Sequence, residues 1–185
     1  MTDRRTVIAD AAITTIAREG MRGFTHRAVD RTAALAEGST SYYFRTREAL
    51  MFAALARMAE LDTLDLGDTP DLGGKVGLET MTTLVTAVVR GWLTDARERT
   101  LARYELALES TRRPELRARM RAHGAAFRHL AEKTFVAAGA SEPARRAQTF
   151  IAHLDGLMLH QLTKGEFEED DLRSACRDLL TMALA

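Results

Sequence analysis

Apolar side chains recur every three to four positions through most of the chain, the spacing that places them on one face of an α-helix. Ile8, Ala12 and Ile16, with Val7 and Ala11 beside them, predict a helix over 4–19, and Gly20 supplies a residue able to take a positive φ at its end. Thr25 is placed to cap a short helix from His26 to Ala33, with Ala28 and Val29 inward and Arg27, Asp30 and Arg31 outward. After a break at Ala34 to Ala36, a third short helix runs from Glu37 to Tyr43. Thr46 then caps a fourth, with Glu48 in its first turn where the helix dipole favours an acid. This helix continues through Leu50, Ala54, Leu55, Met58 and Leu61 to about Asp65, and the run from Leu66 to Gly74 reads as a linker-like loop.

Beyond the loop, Leu78, Met81, Leu84, Val85, Val88, Trp92 and Leu93 give a helix over 75–94 whose apolar face is wide enough to belong at the centre of a larger domain. Helices over 97–110, 114–138, 142–163 and 168–184 follow, punctuated by Pro114, Gly139 with Ser141 and Pro143, and Gly165. No strand-like alternation persists and no segment repeats another. The expected fold is all-α, with about nine helices.

Composition adds limits. The 185 residues carry 26 Lys and Arg against 26 Asp and Glu, so a uniformly basic nucleic-acid coat is excluded. The balance is uneven along the chain: residues 1–57 hold nine basic and six acidic side chains, a net +3 that leaves −3 for the rest. A basic module on an acidic body fits a phosphate-facing head, although an asymmetry of this size also arises by chance. The single cysteine, Cys176, cannot form an internal disulfide and reads as a small buried apolar residue. The N-terminal segment lacks the continuous apolar run of a signal peptide, and no stretch approaches the ~18 apolar residues of a membrane span. A cytoplasmic protein without a membrane partner is expected.

Two short helices around a three-residue break, braced by a preceding helix, have the layout of a helix-turn-helix, whose second helix enters the major groove. Here that helix carries Glu37, Gly38, Ser39, Thr40, Ser41, Tyr42 and Tyr43, and small hydroxyl side chains suit contacts to base edges and phosphates. Phe24-Thr25-His26-Arg27-Ala28-Val29, followed by Ala33-Ala34-Leu35-Ala36-Glu37-Gly38-Ser39-Thr40-Ser41-Tyr42-Tyr43-Phe44-Arg45-Thr46-Arg47-Glu48-Ala49-Leu50, resembles the DNA-binding domain of the tetracycline-repressor (TetR) family of bacterial transcriptional regulators. The resemblance covers residues 4–55. It departs at Ala34, where the family usually has glycine; alanine there is unstrained only at negative φ, and otherwise costs about 1 kcal/mol.

The resemblance implies a division into a DNA-binding domain at 1–50 and an effector-binding and dimerisation domain at 51–185. Thr25 and Arg27 would clamp one backbone strand, Ser39 and Thr40 would face the groove, Tyr42 and Tyr43 would meet phosphates, and Arg47 would reach another phosphate; Gly38, by its lack of a side chain, lets the helix approach the backbone closely. Core packing is the alternative for the tyrosines, and Arg4 and Arg5 are either solvated or follow the minor groove; Phe44 would pack inward. Trp92, Tyr104, Phe127, Phe135 and Met158 are candidates for lining a small-molecule effector pocket, or are ordinary core. Six of the eleven aromatics follow residue 57, which argues weakly against specialised recognition of flat polycyclic ligands. Phe150, Leu154, Leu157 and Gln161, with Leu172, Ala175, Leu179 and Met182, would pack against their symmetry mates in a homodimer. The function implied is a ligand-responsive repressor on a near-palindromic double-stranded operator, nucleoid-associated when bound; the alternative is an all-helical small-molecule-binding protein or enzyme with a vestigial head.

Other constellations are weaker. His153 and His160, seven apart, and His123 and His129 lack the closer spacing of metal sites. No nucleophile–base pair or carboxylate pair can be assembled, so no catalytic residue, cofactor or metal is expected. Gly73-Gly74-Lys75 lacks the rest of a phosphate loop, and the run Glu166 to Asp171 reads as acids at the head of the last helix.

Overall fold

A computed structural model describes residues 3–67, 76–165 and 168–185. The linker-like run, the Gly73-Gly74-Lys75 echo and the start of the acidic run fall wholly or partly outside them. Among the described residues there are ten helices: α1 (Arg4–Gly23), α2 (His26–Thr32), α3 (Ser39–Tyr43), α4 (Arg47–Gly67), α5 (Leu78–Leu93), α6 (Arg97–Ser110), α7 (Pro114–His123), α8 (Ala125–Ala137), α9 (Pro143–Lys164) and α10 (Glu169–Leu184). The all-α expectation holds, with one helix more than expected. The helix predicted over 114–138 is two, interrupted at Gly124, because its two halves pack in different bodies: α7 buries Leu116 in one and α8 buries Phe135 in the other.

The chain divides into two compact units, α1–α4 with α6 and α7, and α5 with α8–α10. The packing boundary is therefore not at residue 50. Ile8, Ile16, Phe24, Val29, Phe44, Leu50 and Met58 close a core with Ala102 and Leu106 of α6 and Leu116 of α7, so the head needs a later stretch of chain to bury its apolar faces. Polar ties reinforce it: Arg57 pairs with Asp10 at 2.7 Å, and Glu98 accepts from Thr14 at 2.8 Å and Arg18 at 2.7 Å. The unit boundary also sharpens the charge asymmetry. The first unit holds 17 basic and 13 acidic side chains, a net +4, and the second 9 and 13, a net −4.

In the second unit α5 packs on α10 and α9, and α8 on α9. Its core joins Met81, Val89 and Leu93 of α5 to Phe135 of α8, Phe150, Leu154 and Met158 of α9, and Leu172, Cys176 and Leu180 of α10. Cys176 is fully buried, and burial pushes its thiol pKa up, as an inert core cysteine requires.

Ala34 sits at φ 52°, the left-handed region that disfavours a Cβ. Ala34→Gly is accordingly expected to stabilise the first unit. Relief of ~1–2 kcal/mol of strain exceeds the ~0.5–1 kcal/mol that glycine adds to the unfolded chain's entropy. Thermal melts would check it; an unchanged or lower midpoint would show the turn is not strained.

Candidate nucleic-acid interface

The geometry of α2 and α3 is set by one buried carboxylate. Thr25 caps α2, its Oγ1 accepting from the Ala28 N–H at 3.1 Å. On the next turn Asp30 is only 2% exposed, contrary to the outward position expected for it. Its Oδ1 accepts from the Thr40 N–H at 2.7 Å and the Thr40 hydroxyl at 2.6 Å, and its Oδ2 accepts from the Gly38 N–H at 2.8 Å. Burial pushes this carboxyl's pKa up, but the bonds from Thr40 and Gly38 and the nearby His26 outweigh it and hold the group below its ordinary value. Asp30 thus satisfies the first backbone donors of α3, and it does so from a neighbouring helix.

This clamp moves two boundaries. α3 begins at Ser39, two residues later than expected, because Gly38 takes φ 93° to turn its N–H onto Asp30. A Cβ at Gly38 would meet open space, so the glycine serves the turn itself. Thr40 is fully buried and committed to Asp30, which corrects its assignment to the groove. A helix that turns Thr40 inward leaves Ser41 and Tyr42 exposed and Ser39 half-exposed, with Tyr42 at 79%. Ser41, not singled out from the sequence, joins the outward surface.

Arg47 is also placed differently from expectation. Its Nε donates to the Phe24 carbonyl at 2.9 Å and its Nη2 to the Met21 carbonyl, with the guanidinium over the Phe24 ring. It braces the chain leaving α1 and is not extended toward solvent. His26 Nε2 donates to the Phe44 carbonyl at 2.7 Å, joining the start of α2 to the end of α3. Phe44 packs inward, as the family pattern implies. Tyr43 is half-buried, its ring under the Arg5 guanidinium at 5.8 Å and edge-on to Tyr42. Thr25 and Arg27 are exposed, Arg27 lying 3.6 Å from Glu37 in a solvated pair. The outward surface therefore comprises Thr25, Arg27, Gly38, Ser39, Ser41 and Tyr42.

The other candidate sets are divided. Of the effector-pocket candidates, Tyr104 belongs to the first unit and the other four to the second. The Trp92 and Phe127 rings lie tilted against each other with centroids 4.9 Å apart, while Phe135 and Met158 are almost fully buried. Of the dimer candidates, Phe150, Leu154, Gln161 and Leu172 are buried within their own unit and offer a partner no surface. They lie on the α9 and α10 faces that build that unit's core, Phe150 edge-on to Phe135 at 5.6 Å. Leu157, Ala175 and Leu179 are half-buried and Met182 is exposed, and Leu159 adds an exposed apolar side chain that was not expected. His153 and His160 are exposed, and among the described residues no cluster of His, Cys, Asp or Glu is arranged to hold a metal ion. No described helix is long and apolar enough to cross a membrane.

An all-helical chain with a clamped helix-turn-helix on its first unit defines a class of DNA-binding regulators, and comparison with known proteins narrows it. The family model for the tetracyclin repressor-like C-terminal domain matches residues 76–185. Among solved structures, a TetR-family member from Streptomyces coelicolor A3 is 30% identical, with 96% of this chain and 98% of that one covered and a TM-score of 0.73. The multidrug binding protein EbrR complexed with ethidium is 30% identical over 99% of both chains, at a TM-score of 0.73. A transcriptional regulator from Rhodococcus sp. Rha1, at 19% identity, shares the fold over 98% of this chain and 96% of that one with a TM-score of 0.83. No curated protein matches. The chain belongs to the tetracycline-repressor family of transcriptional regulators.

Proposed function

We propose that this regulator is a homodimeric, effector-released repressor that binds a near-palindromic operator through α2 and α3. The observation that carries the reading is the Asp30 clamp: it fixes α3 while its polar side chains Ser39, Ser41 and Tyr42 remain outward. Ser39 and Ser41 are assigned to base edges, and Thr25, Arg27 and Tyr42 to phosphates, since hydroxyls and guanidinium suit those partners. One such helix reads only a few base pairs, so a second copy about 34–36 Å away is required. Leu159 and Met182, with half-buried Leu157, Ala175 and Leu179, are among the apolar side chains of α9 and α10 that remain for a partner helix to cover.

The effector is assigned to the second unit, around Trp92 and Phe127. EbrR is described in complex with ethidium, proflavin and malachite green, which makes aromatic cationic dyes the first compounds to test here. Release requires that the effector bind one conformation of the dimer more tightly than the operator-bound one.

Titration of the full chain with the DNA flanking its own gene tests the reading. Tight binding relative to random duplex, weakening as salt rises, is expected. Equal affinity for both duplexes with no salt dependence would overturn it. Tyr42→Phe should weaken binding to all sequences alike, whereas Ser41→Ala should change the preference between sequences.

A further inference from the structure

Within the first unit, α4 and α7 run side by side in the same direction. Arg113, just before α7, lines an open cavity of about 240 Å³ with Arg47, Glu48 and Met51 at the head of α4. Further along, the Arg119 guanidinium lies 4.1 Å above the Phe52 ring, and at the far end His123 meets Asp62 at 2.7 Å. α6 runs along α1 in the same sense: Glu98 holds Thr14 and Arg18, and Glu105 accepts from the Met21 N–H at 3.2 Å. The corner between α6 and α7 therefore lies at the end of the unit where α1 leads into Thr25 and where α4 begins.

The charge at this corner is positive. Residues 111–123 contain five arginines and one acid, Glu115. Arg112 is 69% exposed and only loosely held, 4.0 Å from Glu109. Arg113 pairs with Glu109 at 2.5 Å, and Arg117 is fixed over the corner by the Ser110 and Thr111 carbonyls. Arg45 is exposed nearby in the chain entering α4, whereas the acids Glu60, Asp62 and Asp65 sit toward the opposite end of that helix. Against Glu48, Glu109 and Glu115, the corner keeps a surplus of guanidinium groups, whose planar forks match phosphate oxygens.

We propose that the α6–α7 corner, through Arg112, Arg113 and Arg117, is a second phosphate-contacting surface that extends the head's footprint along the duplex backbone beyond α2 and α3. It is invisible in a charge count split at residue 57, because these arginines are remote in sequence and join the head only through packing. The inference rests on the DNA-binding reading above, and its test separates the two.

The test is fluorescence anisotropy of the full chain on a labelled 30-base-pair random-sequence duplex, from 50 to 200 mM KCl. Each phosphate contact contributes about one to the slope of log affinity against log salt concentration. Because a homodimer presents the corner twice, Arg112→Ala should make that slope shallower by about two and Arg112→Ala with Arg113→Ala by about four. The corresponding lysine double variant should restore it. Because Arg113 also holds Glu109, Arg112→Glu serves as a single change at an exposed position with little structural role; it should weaken binding on every sequence. Wild type and Tyr42→Ala, which alters α3 alone, run in parallel. If Tyr42→Ala weakens binding while the arginine variants keep the wild-type slope, the corner does not touch DNA, and an acidic protein surface becomes its better partner. If wild type shows no salt-dependent binding at all, the DNA reading itself fails and the corner with it.

Discussion

Asp30→Ala is expected to abolish DNA binding and to lower the stability of the first unit by about 3 kcal/mol, since it strands the donors that its carboxylate now receives. Those donors are the Thr40 N–H and hydroxyl and the Gly38 N–H, all at 2.6–2.8 Å. With the clamp gone, α3 keeps only one helical turn of its own bonds, too short to hold its orientation. Asp30→Asn should be milder in size but not neutral, because its amide NH2 would face a donor where Oδ2 now accepts. Equilibrium unfolding together with a DNA titration checks both. Full binding by Asp30→Ala would mean that α3 is positioned by its apolar contacts alone. Thr40→Ala belongs to the same prediction: with no exposed surface, Thr40 should affect stability and affinity but not preference between sequences. The pH dependence follows from the lowered pKa. The Asp30 contribution is fully present above the unfolded carboxylate pKa of about 3.9 and is lost as pH falls through the still lower folded value. Between pH 8 and 5 it should not change.

A loss of similar size is expected at Asp62→Ala. This carboxylate, 15% exposed, meets Arg103 at 2.7 Å, Arg99 at 3.0 Å and His123 at 2.7 Å, tying α4 to α6 and α7. Burial pushes its pKa up, but the bond from His123 and the charges of Arg103 and Arg99 outweigh that and hold it low. Removing one partner of a buried charge cluster leaves the others uncompensated, which costs about 3 kcal/mol or more. Chemical denaturation of wild type and Asp62→Ala measures it; a change under ~0.5 kcal/mol would show that water already screens the cluster. Here too the stabilisation is present above the carboxylate's unfolded pKa and disappears as pH falls through the lowered one.

Helices were legible in the sequence where their ends carry a stated chemistry. Thr25 and Thr46 do accept from the Ala28 and Ala49 N–H groups, and Gly139 and Gly165 do take positive φ. Facing was less legible. Apolar spacing places Ala28 and Val29 inward, but it assigns a charged residue to solvent, and so it missed that Asp30 is stabilised by donors ten residues further on. Hydroxyl chemistry and the family resemblance placed Thr40 outward with its neighbours, when its side chain is the one that pairs with Asp30. On α9, Phe150, Leu154 and Met158 form an apolar face, but periodicity cannot tell a face that covers its own core from one that awaits a partner. Nor does it show that α6 and α7 complete the head, since that depends on Leu106 of α6 reaching back to α1 and Leu116 of α7 to α4, across some fifty to a hundred positions of chain.

Selection of bound duplexes from a random-sequence pool tests the central claim most directly. A homodimer reading DNA through α2 and α3 should enrich a near-palindrome whose half-sites are centred about 10–10.5 base pairs apart, or a multiple of that, and Ser39→Ala with Ser41→Ala should alter the enriched half-site without altering the spacing. No enrichment over the starting pool, or an enriched sequence unaffected by those two changes, would contradict it.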